Sequence, residues 1–62
     1  MKILLKQYRI RAGMNQTELA EEAGIKQQTI SSIETGQRLP SIFLLMKLAD
    51  VLKVNVKHLW KG

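Results

Sequence analysis

The chain has 62 residues, which is room for one domain, so we treat residues 1–62 as a single unit. Ten Lys and Arg against five Asp and Glu give a net charge of +5, which favours an anionic partner: nucleic acid, an anionic membrane surface or an acidic protein. Cysteine is absent and no apolar run approaches the roughly 20 residues of a membrane-spanning helix, so we expect a cytoplasmic protein without disulfides.

The first two predicted helices are defined by apolar spacing and by capping residues. An apolar stripe predicts the first helix over about Lys2–Ala12, and Gly13 lies just past its end. Asn15 suits the N-cap of the second helix, and Glu18, three residues further on, completes a capping box. Gly24 ends this helix, because glycine readily adopts the positive φ of a helix terminus.

Three further helices are predicted in the second half of the chain. The third covers about Gln27–Thr35, and its N-cap position holds Lys26, a poor cap, so another factor must favour a cation there. Ser41 caps the fourth helix, and Asn55 caps a short fifth helix. Strand-like alternation is weak and confined to residues 51–56. Five helices with brief connections predict an all-α, compact five-helix bundle.

The segment Gln16–Ile33 carries the strongest functional signal, because it meets several demands of a helix-turn-helix at once. Ala20 is small enough for a steep crossing of two helices, and Gly24 supplies the positive φ that the turn needs. Any helical hairpin shows some of these features, but the full set in register predicts the motif. Apolar residues also occupy the anchoring positions, which are Leu19, Ala23, Ile25, Ile30 and Ile33.

The outward face of the third helix is short, polar and uncharged if Ile30 and Ile33 point inward. Gln and Ser side chains can donate to and accept from base edges, and a recognition helix uses its N-terminal residues for such contacts. A solvated helix face is the alternative, but such faces ordinarily carry Lys and Glu. We therefore predict base contacts from Gln27, Gln28, Ser31 and Ser32.

Contacts to DNA phosphates are predicted around this face. The second helix starts at Asn15 and Gln16, where free N–H groups and the helix dipole suit an anion, although plain capping also explains Asn15. A nearby phosphate would account for Lys26 at a helix start. Arg38, in the loop after the third helix, is the last candidate for a phosphate contact.

A set of residues spread over nearly the whole chain carries a family resemblance. These residues are Tyr8–Arg9, Asn15–Ala20, Gly24, Gln27–Ile30, Ile33–Gly36, Pro40–Ser41, Leu48–Ala49, Leu52 and Leu59. In this combination the chain resembles the Cro/repressor-type helix-turn-helix family, also called the XRE family. The resemblance implies a lambda-repressor-like bundle with the helix-turn-helix at helices 2 and 3, a bacterial or phage origin, and dimeric binding to a near-palindromic operator.

The resemblance also implies roles for individual residues. It supports the base and phosphate contacts given above, except those of Ser31, Lys26 and Arg38, which depend on residue chemistry alone. It implies a partly buried ion pair between Arg9 and Glu34, which would join the first helix to the end of the third. It places the dimer contact before and within the last helix, at Val54, Asn55, Val56 and His58.

Several positions depart from the family pattern. Lys26 replaces the usual Ser or Thr cap, and Lys53 stands where Gly is frequent. Phe43 and Trp60 are larger than the usual residues at their positions. We expect Phe43 to pack against a neighbouring loop, whereas an exposed Phe43 would indicate a subunit contact.

The sequence shows no constellation typical of catalysis or metal binding. The single histidine, His58, has no metal-binding companion, and no base is placed to activate a Ser hydroxyl. We therefore expect no enzyme activity, metal, cofactor or small-molecule ligand. We predict a homodimer that binds double-stranded DNA sequence-specifically to regulate transcription, with repression as the expected mode. The alternatives are a protein-binding module of the same fold, such as an antitoxin or adaptor, and a basic amphipathic peptide on membranes, against which the capped helices argue.

Overall fold

The structure is a computed structural model that describes residues 2–61 of the chain. This part of the chain forms five helices and one two-stranded sheet. In chain order the elements are β1 (Lys2–Ile3), α1 (Leu5–Arg11), α2 (Gln16–Ala23), α3 (Gln27–Glu34), α4 (Ile42–Leu52), α5 (Val56–Leu59) and β2 (Trp60–Lys61). The predicted helical bundle is confirmed, and the sheet is an addition to it. No helix among residues 2–61 has the length and apolar character needed to cross a membrane.

The core lies between the helices, and each of the five contributes at least one buried apolar side chain to it. α2 packs against α3 and α4, while α5 packs mainly against α4. The outer side of α3, with Gln27 and Gln28, is exposed. The buried residues are Leu5, Leu19, Ala20, Ala23, Ile30, Ile33, Leu45, Leu48, Ala49, Leu52 and Leu59.

The predicted helix caps are present. The side chain of Asn15 accepts from the Glu18 N–H at 2.7 Å, and the Glu18 carboxylate accepts from the Asn15 N–H at 2.9 Å. The hydroxyl oxygen of Ser41 accepts a hydrogen bond from a backbone N–H in the first turn of α4. The side-chain oxygen of Asn55 accepts one from a backbone N–H in the first turn of α5. Lys53 ends α4 with a φ of 57°, a left-handed conformation that favours glycine. These caps fix where the chain turns between helices.

The two ends of the described chain pair as antiparallel strands. Lys2 lies opposite Lys61, and Ile3 lies opposite Trp60. The sheet continues the main-chain pairing of Leu4, whose N–H donates to the carbonyl oxygen of a residue in α5 at 2.8 Å. This pairing fastens the start of α1 to the end of α5.

The prediction of a first helix from about Lys2 was wrong at its start, because α1 begins at Leu5 and the preceding residues form β1. Trp60 directly follows the last residue of α5 and begins β2, which the sequence did not predict. Each strand is two residues long, which is too short for an alternating pattern. The stabilising partner of each strand lies at the other end of the chain, where no local pattern can reveal it.

Candidate nucleic-acid interface

The turn between α2 and α3 has the geometry that the sequence predicted. Gly24 ends α2 with a φ of 69°, in the left-handed region. The next residue, Ile25, donates its N–H to the carbonyl oxygen of Ala20 at 2.9 Å, which closes the turn. Ala20 itself is buried, as a small residue at a helix crossing should be. The two helices are therefore held in a tight helix-turn-helix.

The orientation of α3 is fixed by Ile30 and Ile33, which are both buried in the core. Gln27 and Gln28 lie away from this buried side and are exposed. Ser31 and Ser32, the other two predicted base contacts, are half-buried. The first turn of α3 is therefore its most accessible part, and it carries the two longest polar side chains of this face.

The start of α3 has no side-chain cap. Lys26 occupies the N-cap position with an extended backbone, and it offers no oxygen to the helix. Its carbonyl accepts from the N–H groups of Thr29 and Ile30. The earlier N–H groups, those of Gln27 and Gln28, have no acceptor within the helix. The exposed start of α3 thus combines free N–H donors, the positive end of the helix dipole and a lysine.

A buried ion pair holds the other end of α3. Arg9 on α1 donates from Nε to Glu34 Oε2 at 2.7 Å and from Nη2 to Oε1 at 3.2 Å. Its Nη1 donates to the carbonyl oxygen of Met14 at 2.8 Å. The side chains of Arg9 and Glu34 are only 11% and 3% exposed. The structure thus contains the ion pair that the family resemblance implied, and it connects α1 to α3.

A chain of hydrogen bonds runs from this ion pair to the exposed face. Gln16 donates from Nε2 to Glu34 Oε1 at 3.0 Å, which fixes the direction of its amide. Gln16 Oε1 then faces Gln27, whose Nε2 donates to it at 3.4 Å. The sequence suggested only a phosphate contact for Gln16, because the three partners lie far apart along the chain. In the fold, Gln16 links the buried carboxylate to a predicted base-reading residue.

The environment of Glu34 changes the proton affinity of its carboxyl group. Burial raises the pKa of Glu34, but hydrogen bonds from Arg9 and Gln16 and the positive charges of Arg9 and Lys6 lower it by more. The resulting pKa lies below the ordinary value of 4.5. Glu34 therefore stays ionised near neutral pH and keeps its hydrogen bonds to both partners.

Comparison with known proteins decides the family. The sequence profile of a helix-turn-helix family matches residues 5–59, which is most of the chain. The chain belongs to the XRE-type helix-turn-helix family. This family membership confirms the resemblance found in the sequence.

Several relatives in the XRE-type family are transcriptional regulators by name. An uncharacterised regulator from Archaeoglobus fulgidus is 33% identical over 60 residues, which cover 97% of this chain and 86% of the relative. SinR from Bacillus subtilis is 46% identical over 56 residues, and this match spans 89% of the chain but half of SinR. The comparison with SinR therefore concerns one part of that protein.

Two solved structures have the same fold as this XRE-type domain. A crystal structure of SinR in complex with DNA matches with a TM-score of 0.84 and 45% identity, covering 89% of each chain. The restriction-modification controller protein C.AhdI from Aeromonas hydrophila matches with a TM-score of 0.86 and 30% identity, covering 90% of this chain and 85% of C.AhdI. Both matches confirm the helix-turn-helix architecture.

The cations predicted to contact phosphates are available on the surface of this XRE-type domain. Lys26 and Arg38 are exposed, and within residues 2–61 the only salt bridge is the one between Arg9 and Glu34. The backbone N–H of Arg38 donates to the Ser32 carbonyl at 3.2 Å, so its loop folds back onto the end of α3. The two cations thus lie on segments that flank the two ends of α3.

The predicted dimer segment, residues 54–58, is largely engaged in the fold itself. Val54 and Val56 pack against the core, and the side chain of Asn55 caps α5. The ring of His58 stacks on Tyr8 with 6.0 Å between ring centroids. The role of this segment in an XRE-type dimer stays a prediction.

Phe43 departs from its expected packing. We expected it to lie against a neighbouring loop, but its side chain is 80% exposed on α4. The backbone explains this outcome, because Leu45, Leu48 and Leu52 define the buried side of α4 and Phe43 lies off that side. An exposed Phe43 is the arrangement expected of a subunit contact.

Proposed function

We propose that this protein binds double-stranded DNA sequence-specifically as a homodimer and regulates transcription in the cytoplasm, as a repressor and not as an enzyme. The observation that carries the proposal is the exposure of Gln27 and Gln28 at the uncapped start of α3. Buried Ile30 and Ile33 anchor the same helix, so its outer edge is free to enter a major groove.

Base reading is assigned to the side chains at the start of α3. A glutamine amide can form a bidentate pair with adenine N6 and N7, so Gln27 and Gln28 favour adenine at the positions they reach. Gln27 is already oriented by Gln16, which lowers the conformational entropy that binding would cost. Ser31 and Ser32 lie one turn further along and are half-buried, so we expect them to add only short-range contacts.

Phosphate contacts are assigned to groups on both sides of this edge. Lys26 and Arg38 are exposed cations, and Asn15 and Gln16 lie at the start of α2. The side-chain oxygen of Asn15 is engaged in capping, so its phosphate contact would come from the free N–H groups of this helix start. Such contacts supply affinity without base preference and make binding weaker as salt rises.

A two-fold dimer completes the proposal. Two copies would place their α3 helices in successive major grooves about 34 Å apart, which requires a near-palindromic operator. The solved complex of SinR with DNA supports DNA as the partner, because SinR shares the fold and 45% identity over the matched region. Occupying an operator is enough to block transcription, so repression needs no chemistry beyond binding.

Selection of bound sequences from random duplexes tests the proposal. We expect an enriched motif with two-fold symmetry and half-sites one helical turn apart, confirmed by gel shift against random DNA at low and moderate salt. Equal binding of selected and random DNA would contradict sequence-specific recognition. Absence of any shift, together with capture of a protein partner, would instead favour the antitoxin or adaptor function.

A further inference from the structure

A small cleft lies beside the end of α3, where β1 approaches the loop that leads to α4. It is lined by Lys2 and Ile3 of β1 and by residues 33–36 and 38–39, and its volume is about 200 Å³. We call it the β1 cleft. None of its residues belongs to the first turn of α3, to which the base contacts of the longest side chains are assigned. The cleft is therefore a second place at which α3 and its neighbours can bind a ligand.

Two cations without a carboxylate partner line the β1 cleft. Lys2 and Arg38 are both exposed, and in the described part of the chain the only salt bridge joins Arg9 to Glu34. Glu34 also lines the cleft, but its carboxylate already accepts hydrogen bonds from Arg9 and Gln16. The charge that is left without a partner is therefore positive, and it calls for an anion.

The strand that pairs with β1 brings a third cation to the same place. Lys61 of β2 lies directly opposite Lys2, so the two side chains project from the same face of the sheet. Like charges in this arrangement destabilise a sheet. Departures from such local rules are expected where a ligand supplies the missing interaction. The pair of lysines thus favours an anionic group beside β1.

The size of the β1 cleft limits the kind of anion that it can hold. Pockets for drug-sized ligands enclose about 300–1,000 Å³, which is more than the cleft offers. A water molecule occupies about 30 Å³ of the liquid, so the cleft has room for a group as large as several waters. One phosphate group fits this space while the rest of a larger molecule stays outside. The backbone of DNA presents its phosphates in this way.

The length of α3 places the β1 cleft where a DNA phosphate can reach it. α3 has eight residues and is about 12 Å long, and the major groove of DNA is about 12 Å wide. A helix of this length that lies across the groove has one end beside each DNA backbone. Lys26 would then face one backbone and the β1 cleft the other. Because the end of a helix carries negative partial charge, a phosphate there needs cations, and the cleft supplies them.

We propose that the β1 cleft binds one backbone phosphate of DNA in each half-site, with Lys2 and Arg38 as its ligands and Lys61 adding positive charge. Arg38 would hold two phosphate oxygens with its planar guanidinium, and Lys2 would act as a point charge. The proposal rests on the proposed function and extends it, because it gives the terminal sheet a part in DNA binding. It also assigns two cations that lie far apart along the chain to the same phosphate.

Duplexes in which one phosphate at a time is replaced by an uncharged methylphosphonate test the proposal in gel shifts. The wild type should bind more weakly wherever a contacted phosphate has been replaced. At one position in each half-site, the double variant Lys2→Gln/Arg38→Gln should show no further loss, because that contact is already absent. At all other positions the double variant should lose affinity as the wild type does. Single variants that respond at two different positions would overturn the shared site.

The dependence of binding on salt gives a second measurement. The double variant should reduce the salt slope by about 0.9, the value for one phosphate contact on duplex DNA. A reduction of about 1.8 would indicate two separate phosphates and would overturn the proposal. Arg11→Gln is the control, because it also removes a positive charge from an exposed residue but lies outside the β1 cleft. Its methylphosphonate profile and its salt slope should match those of the wild type.

A purely structural role for these cations predicts a different result. Cations near the end of a helix stabilise it through the helix dipole, so Lys2→Gln would then lower the stability of the fold. The proposal predicts no loss of stability in Lys2→Gln, since the substitution removes the repulsion from Lys61. Urea unfolding measures the difference. A destabilised Lys2→Gln variant with the methylphosphonate profile of the wild type would overturn the proposal.

The same proteins separate this proposal from the proposed function. Saturation of the NMR shifts of Lys2 and Arg38 by micromolar inorganic phosphate without DNA would assign the cleft to a free anion and overturn the DNA assignment; we expect no saturation. A reduced salt slope in the double variant on random duplexes, without preference for any sequence, would contradict sequence-specific recognition alone. Sequence preference with identical slopes and profiles in both proteins would contradict the β1 cleft alone. Absence of any DNA binding would overturn both.

Discussion

Helices α2 and α3 stand side by side in the motif but begin in opposite ways. At the start of α2, Asn15 and Glu18 exchange two hydrogen bonds in a complete capping box. At the start of α3, Lys26 provides no cap and adds a positive charge where the helix dipole is already positive. Side chains of the protein itself cap the start of α2, whereas the start of α3 has no side-chain cap.

The uncapped start of α3 is a place where the chain gives up local stability. A Ser, Thr, Asp or Asn at position 26 would stabilise α3 by about 1 kcal/mol, yet the position holds lysine. Departures from local rules are expected at functional sites, where a ligand supplies the missing interaction. A phosphate at the start of α3 would be that ligand. The end of α3, in contrast, is held firmly by the ion pair of Arg9 and Glu34.

The largest effect on stability is expected from removing the ion pair that holds the C-terminal end of α3. Arg9→Met should lower the free energy of unfolding by about 3–5 kcal/mol, because it leaves the Glu34 carboxylate buried without its charged partner. Urea or thermal unfolding measures this loss. Arg11→Met is the matched control, since Arg11 is exposed on the same helix and its guanidinium lies 5.0 Å from the centroid of the Tyr8 ring. A loss no greater in Arg9→Met than in Arg11→Met would contradict a buried ion pair.

Acid should weaken the same end of α3. The pKa of Glu34 is lower in the folded chain than its ordinary value of 4.5, so the ion pair contributes its full stability above that value. This contribution is lost as the pH falls below 4.5 and through the folded-state pKa. Urea unfolding at a series of pH values should show a steeper acid-side loss in the wild type than in Glu34→Gln. Parallel curves for the two proteins would show that Glu34 does not titrate differently on folding.

At the uncapped start of α3, Gln28→Ala should reduce the preference of the protein for one base over the others. We expect the discrimination between the selected site and a site changed at one base pair to fall by about 1–3 kcal/mol, because one bidentate contact is lost. Binding to random DNA should stay nearly unchanged. Competition gel shifts measure both quantities, with Gln37→Ala, an exposed glutamine outside α3, as the control. An equal loss on specific and random DNA would rule out a base-reading role.

The smallest effect is expected from a substitution at the uncapped start of α3. Lys26→Ser should raise the free energy of unfolding by roughly 0.5–1 kcal/mol, because its hydroxyl can cap α3. The same variant should bind all DNA sequences more weakly and reduce the salt slope by about 1, since one phosphate contact is removed. Asn15→Ala, at the capped start of α2, should instead lose about 1 kcal/mol of stability. A Lys26→Ser variant with unchanged salt dependence would show that Lys26 contacts no phosphate.

Features set by neighbouring residues could be predicted from the sequence. The capping box of Asn15 and Glu18, the left-handed Gly24 and the burial of Ile30 and Ile33 all follow from spacing within a turn or two of helix. The exposure of Gln27 and Gln28 then follows from helix geometry. The ion pair of Arg9 with Glu34 needed the family resemblance, because no pattern within a helix connects residues so far apart.

The features that the sequence did not predict depend on contacts between distant segments. The bridge that Gln16 forms from Glu34 to Gln27 joins three separate parts of the chain. The exposure of Phe43 depends on which side of α4 meets the core, and the apolar residues of α4 occupy more than one side. Where apolar residues surround a helix, periodicity alone cannot choose the buried side.

The terminal sheet has a consequence for the order in which the structure opens. Pairing β1 with β2 closes a loop of nearly the whole described chain. Because the entropic cost of closing a loop grows with its length, this pairing has the largest such cost in the fold. Its strands are short, and Lys2 faces Lys61 across them, which is a destabilising pair of like charges. Backbone amides in these strands should therefore exchange with solvent deuterium faster than those of α4.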